Sequence, residues 1–408
     1  AALLLAFQLS AQTFALANED NGIKVVPVNF THNGYSYEIE GVAKSTDGDY
    51  QMKSPARLAA RKLPSTYDPR SSGEITTVKD QASTGACWAF SALACAEQDL
   101  IKKGLENPST EFSVPALVLS SNSGTATGKD DFSSGGNWLF AASALANGQG
   151  LCYEDYEPFL ESGTGNMIVS ENKKSVSEYR LNYVMELSST TQVKRKIMEL
   201  GAVSASYFAG NGYMNHNNTA YYDPDASKNT IINHSVTVVG WDDNYSKDNF
   251  RYKPANNGAW LVKGSWGADQ DNDGFYWVSY DEAEFGQFCC YDFEESCDNT
   301  YHYSKMTGYV VNASNDGSVY GANVFTAKAD EKLDKAGFMY VGKTGSADYT
   351  LSVYTNVSDS DPIGVLETQI SDSVSANGFY TVDFPEDILL EEGEKLSLIH
   401  ISEPTRPY

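Results

Sequence analysis

A chain of 408 residues exceeds one ordinary domain, so two or three are expected. Acidic side chains outnumber basic ones by 54 to 29, a formal charge of −25. That balance argues against nucleic acid as a partner, because phosphate binding needs a basic face, and it suits a soluble extracellular protein. The six cysteines show no zinc spacing and do not imply a heavily stapled fold.

Residues 1–17 form an apolar run closing on Ala15-Leu16-Ala17, the small-x-small pattern of a signal-peptidase site. The start therefore reads as a truncated signal peptide rather than a membrane span, and gives a secreted or cell-surface address. Residues 18–62 are polar and end on Arg61-Lys62. They read as a pro-segment with the dibasic pair as its activation cut, or as a plain linker. The stretch 81–91 then reads as a loop, flexible at Gly85, running into an apolar helix that opens at Cys87. Helix-forming residues continue over 87–103, and Gly104 supplies the stop. A thiol on the first turn faces unpaired backbone N–H groups and the positive end of the helix dipole, and both favour the thiolate. Gln81, six residues upstream, can bring a side-chain amide to the sulfur as an oxyanion donor. A buried structural cysteine is the bland reading, but the Gln, the Cys87-Trp88 pair and the helix start coincide.

This run resembles the nucleophile segment of the papain-like cysteine proteases. The resemblance implies an α+β fold of two lobes over 63–298, a helical lobe and a β lobe, with the chemistry at their seam. It also implies endopeptidase activity. The segment from Leu63-Pro64 onward resembles the mature start of these enzymes. Further on, Gly135-Gly136-Asn137-Trp138 leads into a helix over 139–147 closed by Gly148. In the family a Gly-Gly here binds the substrate backbone, which assigns that role to Gly136 and makes Trp138 a pocket wall. The disulfide often found beside these two segments is not expected, since Thr84 and Ser133 stand at its positions. Of the other cysteines, Cys289, Cys290 and Cys297 are close enough in sequence to leave room for one local bridge.

A capped amphipathic helix is expected over 190–200, stopped by Gly201. Strand patterns follow over 202–207, 230–241, 259–264 and 274–280. His234 lies 147 residues after Cys87, within the separation of about 130–150 that papain-like Cys and His show. Its segment resembles the family's base segment, so His234 is expected to take the thiol proton and return it to the leaving amine. Ser206 and Ser235 are expected to shape the specificity pocket together with Trp138.

The chain departs from the family at the third member. Where the pattern is Asn-Ser-Trp-Gly, this sequence has Gly264-Ser265-Trp266-Gly267. The shielding Trp266 is present and the orienting amide at 264 is not, so a Cys–His dyad with impaired activity is expected. Asn256 and Asn257 are nearby amides that would serve as substitutes. Asp269, Asp271 and Asp273 echo the start of a calcium loop, but Tyr280 stands where its closing Glu belongs. A solvated turn is the better reading there, and no cofactor is expected otherwise.

Short alternating runs divided by Gly, Ser, Asp and Asn turns fill 301–395, an antiparallel β-sandwich. It resembles the lectin-like domain of secreted and surface-layer-associated cysteine proteases of Gram-positive anaerobes. That resemblance offers cell-surface proteins or glycans as partners beside a peptide substrate. Residues 396–408 resemble a translated sequencing adapter and are set apart from the fold. The functions in contention are thus a secreted cysteine endopeptidase, a Cys/His peptidoglycan hydrolase, and a catalytically dead protease scaffold that binds at the cell surface. The Gln-to-Cys spacing and the Ser-Trp-Gly run favour the first.

Overall fold

The computed structural model describes the strand paths 2–7, 27–32 and 35–40. It also describes residues 62–404, apart from 122–131, 133–134, 149–150, 157, 160–177, 211, 227–231, 269–272, 298, 303–318, 343–345 and 359–363. Most of the expected leader and pro-segment lies outside the described residues. What is described there is β1 (Ala2–Phe7) and a hairpin of β2 (Pro27–His32) and β3 (Tyr35–Glu40).

Helix α1 (Cys87–Lys102) is the axis of the helical lobe. It carries an apolar surface nearly all round, and every residue from Cys87 to Leu100 is buried. Helices α2 (Val114–Ser121) and α3 (Trp138–Ala146) pack against it. Asn137 caps α3, its side-chain oxygen accepting from Leu139 N at 2.9 Å. The β lobe follows β4 (Thr66–Tyr67) and uses β5 (Tyr179–Leu187), α4 (Thr190–Leu200), β6 (Val203–Tyr207), β7 (Ala220–Tyr221), β8 (His234–Asp242), β9 (Ala259–Lys263), β10 (Phe275–Ser279) and β11 (Gly286–Glu295). Strands β5, β11, β6, β8, β9 and β10 are neighbours in that order, each pair antiparallel.

Polar side chains on a buried helix need partners, and Glu97 of α1 is fully supplied with them. Glu97 Oε2 accepts from Thr76 at 2.7 Å, and Oε1 accepts from Lys79 at 3.1 Å and from Phe112 N at 3.1 Å. Lys263, the last residue of β9, donates to Thr76 at 2.6 Å. Burial alone would raise the Glu97 carboxyl, but the Lys79 and Lys263 charges and the two hydrogen bonds outweigh it and hold it below the usual value. The cluster fixes α1 against the strand that leads directly into Gly264.

The C-terminal region is a sandwich. One layer is the four-stranded sheet β13 (Val319–Thr326), β18 (Lys395–Pro404), β15 (Ala347–Thr355) and β16 (Val365–Val374), in that spatial order. The other layer holds β14 (Glu331–Tyr340) and β17 (Gly378–Leu390), which pair antiparallel. Leu333, Phe338, Leu351, Val353, Leu396 and Leu398 fill the space between. Two expectations are corrected here. The stretch set apart from 396 onward is seated, up to Pro404, between β13 and β15, because Leu396, Leu398 and His400 alternate inward at the strand period. The six cysteines are all free thiols, so no local bridge forms among Cys289, Cys290 and Cys297.

The sandwich is also continuous with the protease sheet. β12 (Asn299–Tyr301) and β1 extend the β14–β17 layer on one side, and on the other β17 pairs with β5 through Gly378, Phe379 and Tyr380. Phe379 enters the core of the helical lobe. Gly378 permits the approach, since a Cβ there would stand 2.0 Å from the Val184 carbonyl oxygen. Asn377 adds a bond from its amide to Glu186 at 2.9 Å, and Lys335 donates to Glu294 at 2.9 Å.

Gly378→Val is expected to lower the stability of the whole chain by about 2 kcal/mol, read by chemical denaturation. A loss under about 0.5 kcal/mol would contradict the strand join. Glu97 gives a pH prediction. Its carboxyl is held below the unfolded value of 4.5, so its stabilisation is present above that pH and is lost as pH falls through the folded value. Glu97→Gln is expected to cost about 3 kcal/mol near neutrality, with the gap to wild type narrowing as pH falls below 4.5. A gap independent of pH would show that the ion cluster does not carry the effect.

Candidate active site

The N-terminus of α1 meets the edge of β8. Ser91 donates to the Val236 carbonyl at 2.7 Å, and Thr237 returns a bond to the Ser91 carbonyl at 3.4 Å. This docking brings the sulfur of Cys87 against the backbone N–H and hydroxyl of Ser235, the residue after His234. Ala86 offers no side-chain cap, so the first-turn N–H groups of Cys87 and Trp88 are left to face the same sulfur. The thiolate preference expected from the helix start is nevertheless overridden. Burial pushes the Cys87 thiol up, and the hydrogen bonds from Ser235, Trp88 and Cys87 itself only oppose that shift. A buried thiolate therefore calls for a positive partner at close quarters, and the base candidate is on the adjacent residue of β8.

His234 is 5% exposed and opens β8, where it lies opposite Tyr207 of β6. Asn233 anchors the approach, its side-chain oxygen accepting from Ala209 N at 2.7 Å. Trp266 stacks on the imidazole with ring centroids 4.3 Å apart and planes 8° from parallel. At 40% exposed, Trp266 is the outer face of that stack, the shield expected from the sequence.

Gln81 is drawn into the same place by strand-like pairing. Asp80 and Trp266 form an antiparallel bridge, and Gln81 N donates to the Ser265 carbonyl at 2.7 Å. The side-chain amide is then fixed at both ends. Its oxygen accepts from the Ser265 hydroxyl at 2.6 Å, and its nitrogen donates to the Thr84 carbonyl at 2.9 Å. Of the two amide hydrogens, one is used by Thr84. Ser265 was invisible to the sequence reading as a functional residue, because the contact spans 184 positions.

Gly136 lies directly on the nucleophile helix: a Cβ there would stand 2.4 Å from the Trp88 indole nitrogen. Trp138, expected as a pocket wall, instead turns its indole N–H to the Glu186 carboxylate on β5 and packs on the helical-lobe core. Ser206 and Ser235 do come together, with hydroxyl oxygens 3.0 Å apart beside the Cys87 sulfur. The substitute amides do not. Asn256 bonds the Asp281 carboxylate at 3.1 Å, and Asn257 accepts from Lys247 N at 3.2 Å. Asp269 and Asp271 of the calcium candidate lie outside the described residues, and Asp273 is a left-handed turn residue with φ of 54°.

Position 264 is where the geometry differs most from the expected constellation. A Cβ on Gly264 would come within 3.1 Å of the Gly274 carbonyl oxygen and 3.3 Å of Tyr276 Cε1. Tyr276 is buried, and its hydroxyl bonds that of Tyr207 at 2.8 Å. Neither tyrosine was singled out in the sequence, where both fall within expected strands.

A model of the papain family of cysteine proteases matches residues 63–297, and a lectin-like domain model matches 300–408. The solved clostridial cysteine protease Cwp84, after propeptide cleavage, is 28% identical, with a TM-score of 0.69 over 83% of this chain and 84% of its own. The protease and lectin-like domains of Cwp84, a surface-layer-associated protein of Clostridium difficile, give 26% identity and a TM-score of 0.70 over 86% and 77%. Among curated relatives, cathepsin S of Bos taurus is 29% identical over 218 residues, 53% of this chain and 60% of its own length. Cathepsin K of Mus musculus is 24% identical over 216 residues, 52% and 59%. The chain spans about three fifths of these two cathepsins. With the family match covering more than half of the sequence and both structural domains paired as in Cwp84, the chain belongs to the papain family of cysteine proteases.

Proposed function

We propose that the protein is a cysteine endopeptidase that works through a thioester acyl-enzyme. Cys87 attacks the scissile carbonyl while His234 accepts the thiol proton. The imidazolium then protonates the leaving amine, and His234 activates the water that releases the acid. The oxyanion is held by the second amide hydrogen of Gln81 and by the Cys87 backbone N–H. The observation that carries this reading is the convergence at one seam of the Cys87 sulfur, Ser235 beside His234 on β8, and the Gln81 amide held through Ser265 next to Trp266, the ring that covers His234. Gly136 supplies backbone groups to the substrate, and Ser206 with Ser235 lines the site nearest the nucleophile.

The substrate is a protein or peptide. The surface-layer association of the C. difficile protease supports an extracytoplasmic location, and the propeptide cleavage of Cwp84 supports a zymogen, for which Arg61-Lys62 is the candidate cut. No helix among the described residues is long and apolar enough to cross a membrane. The sandwich would then reach cell-surface proteins or glycans. A second reading is a dead protease scaffold with a binding role, and Gly264 is the observation that favours it.

Hydrolysis of unfolded casein separates the two. The wild type is expected to cleave it, Cys87→Ala to abolish cleavage, and Cys87 to label with an active-site-directed epoxide. An inert, unlabelled wild type, tested after the 18–62 segment is cut away, would establish the scaffold reading instead. Ser265→Ala frees the Gln81 amide to rotate and should lower kcat by about tenfold with little change in KM, in a fluorogenic peptide assay. Unchanged kcat would remove Gln81 from the oxyanion role.

A further inference from the structure

An imidazole that carries a proton both ways must keep its ring direction, and at this site no side chain at 264 can hold it. The rings around His234 supply another way. Trp266 covers one face in parallel, and Tyr207 meets the imidazole edge-to-face with centroids 5.9 Å apart. Tyr276 stacks behind Trp266, centroids 6.3 Å apart and planes within 16°. The two tyrosines come from different strands, β6 and β10, and their buried hydroxyls close the ring of contacts at 2.8 Å. Edge-to-face and offset stacks are the favoured geometries of aromatic rings, and together they favour one ring direction.

The same tyrosine stands in the way of the side chain that is missing. The Tyr276 ring edge lies 3.3 Å from where a Cβ at 264 would be, so an amide reaching on from that carbon meets the ring. An amide at 264 therefore requires the Tyr276 ring, and the Gly274 carbonyl 3.1 Å from the same carbon, to give way. Burial keeps the Tyr276 hydroxyl protonated, and a Cys87 thiolate would push it further the same way, so the hydroxyl pair stays neutral and bonded.

We propose that the Tyr207–Tyr276 hydroxyl pair is the positioning device for His234 in this protein, replacing the orienting amide absent at 264. The proposal rests on the endopeptidase reading and names residues that act through His234 rather than on the substrate. Tyr276→Phe removes only the hydroxyl and keeps the ring. It is expected to lower kcat about tenfold on a fluorogenic peptide while KM stays within about twofold, and Tyr207→Phe should do the same. Because the two share one bond, the double Phe variant should be no worse than either single. Tyr276→Val opens the space beside 264 and should cost more. Adding Gly264→Asn in that background should restore kcat, whereas Gly264→Asn alone should not raise it.

Phe variants with wild-type kcat, or full additivity in the double variant, would overturn the pair. So would Tyr276→Val, folded by its melting curve, that Gly264→Asn leaves unrescued. Should the Val variant fail to fold, the Phe variants decide alone. An active wild type with indifferent Phe variants removes the pair and leaves the protease reading standing. An inert, unlabelled wild type removes both.

Discussion

A helix buried on every side can sit in a protein only if each of its polar side chains finds a partner, and that constraint sets the position of Cys87. Glu97 is held by Thr76, Lys79 and Phe112, and Asp99 takes the Phe293 N–H and the Lys103 ammonium. Ser91 is tied to β8. These bonds leave α1 no freedom to slide or rotate, so its first residue is delivered to one point at the seam of the two lobes. Lys263 belongs to the same cluster and is followed directly by Gly264, Ser265 and Trp266. One buried ionic group thus registers the nucleophile, the Gln81 anchor and the ring that covers His234. The arrangement is costly to desolvate, and its return is geometry rather than stability.

Much of this could be read from the sequence because it is local. The start of α1 at Cys87, the capped helix from Thr190 to Leu200 and the strands around His234 and Trp260 follow from periodicity, caps and β-branched runs. Strands β5 and β11 escaped. Tyr179–Leu187 mixes charged and apolar residues, and Gly286–Glu295 carries two cysteines and three acids, with no clean alternation. Their identity comes from pairing with each other and with β17, which no local pattern encodes. The site divides in the same way. Cys87, His234 and Gln81 are candidates from motif and spacing, while Ser265, Tyr207 and Tyr276 reach the same place through contacts between distant strands. The Trp138 contact with Glu186 was likewise hidden, because it joins α3 to a strand far along the chain.

The lectin-like domain is not an appendage on a tether. Its strand β17 completes the protease sheet beside β5, and Phe379 is part of the protease core. Glu186 of β5 meets Asn377 of the sandwich and Trp138 at the start of α3, a short path from one domain to the helix that follows Gly136.

The central claim is that Cys87 and His234 act as one ionised pair despite the glycine at 264. The rate at which iodoacetamide alkylates Cys87, followed by peptide mass spectrometry from pH 4 to 9, tests it most directly. A pair predicts fast alkylation well below the ordinary thiol pKa of about 8.5, and His234→Ala should move the rise upward to that value or beyond. A rise near or above about pH 8.5 in the wild type, unchanged by His234→Ala, would show a lone buried thiol and contradict the account.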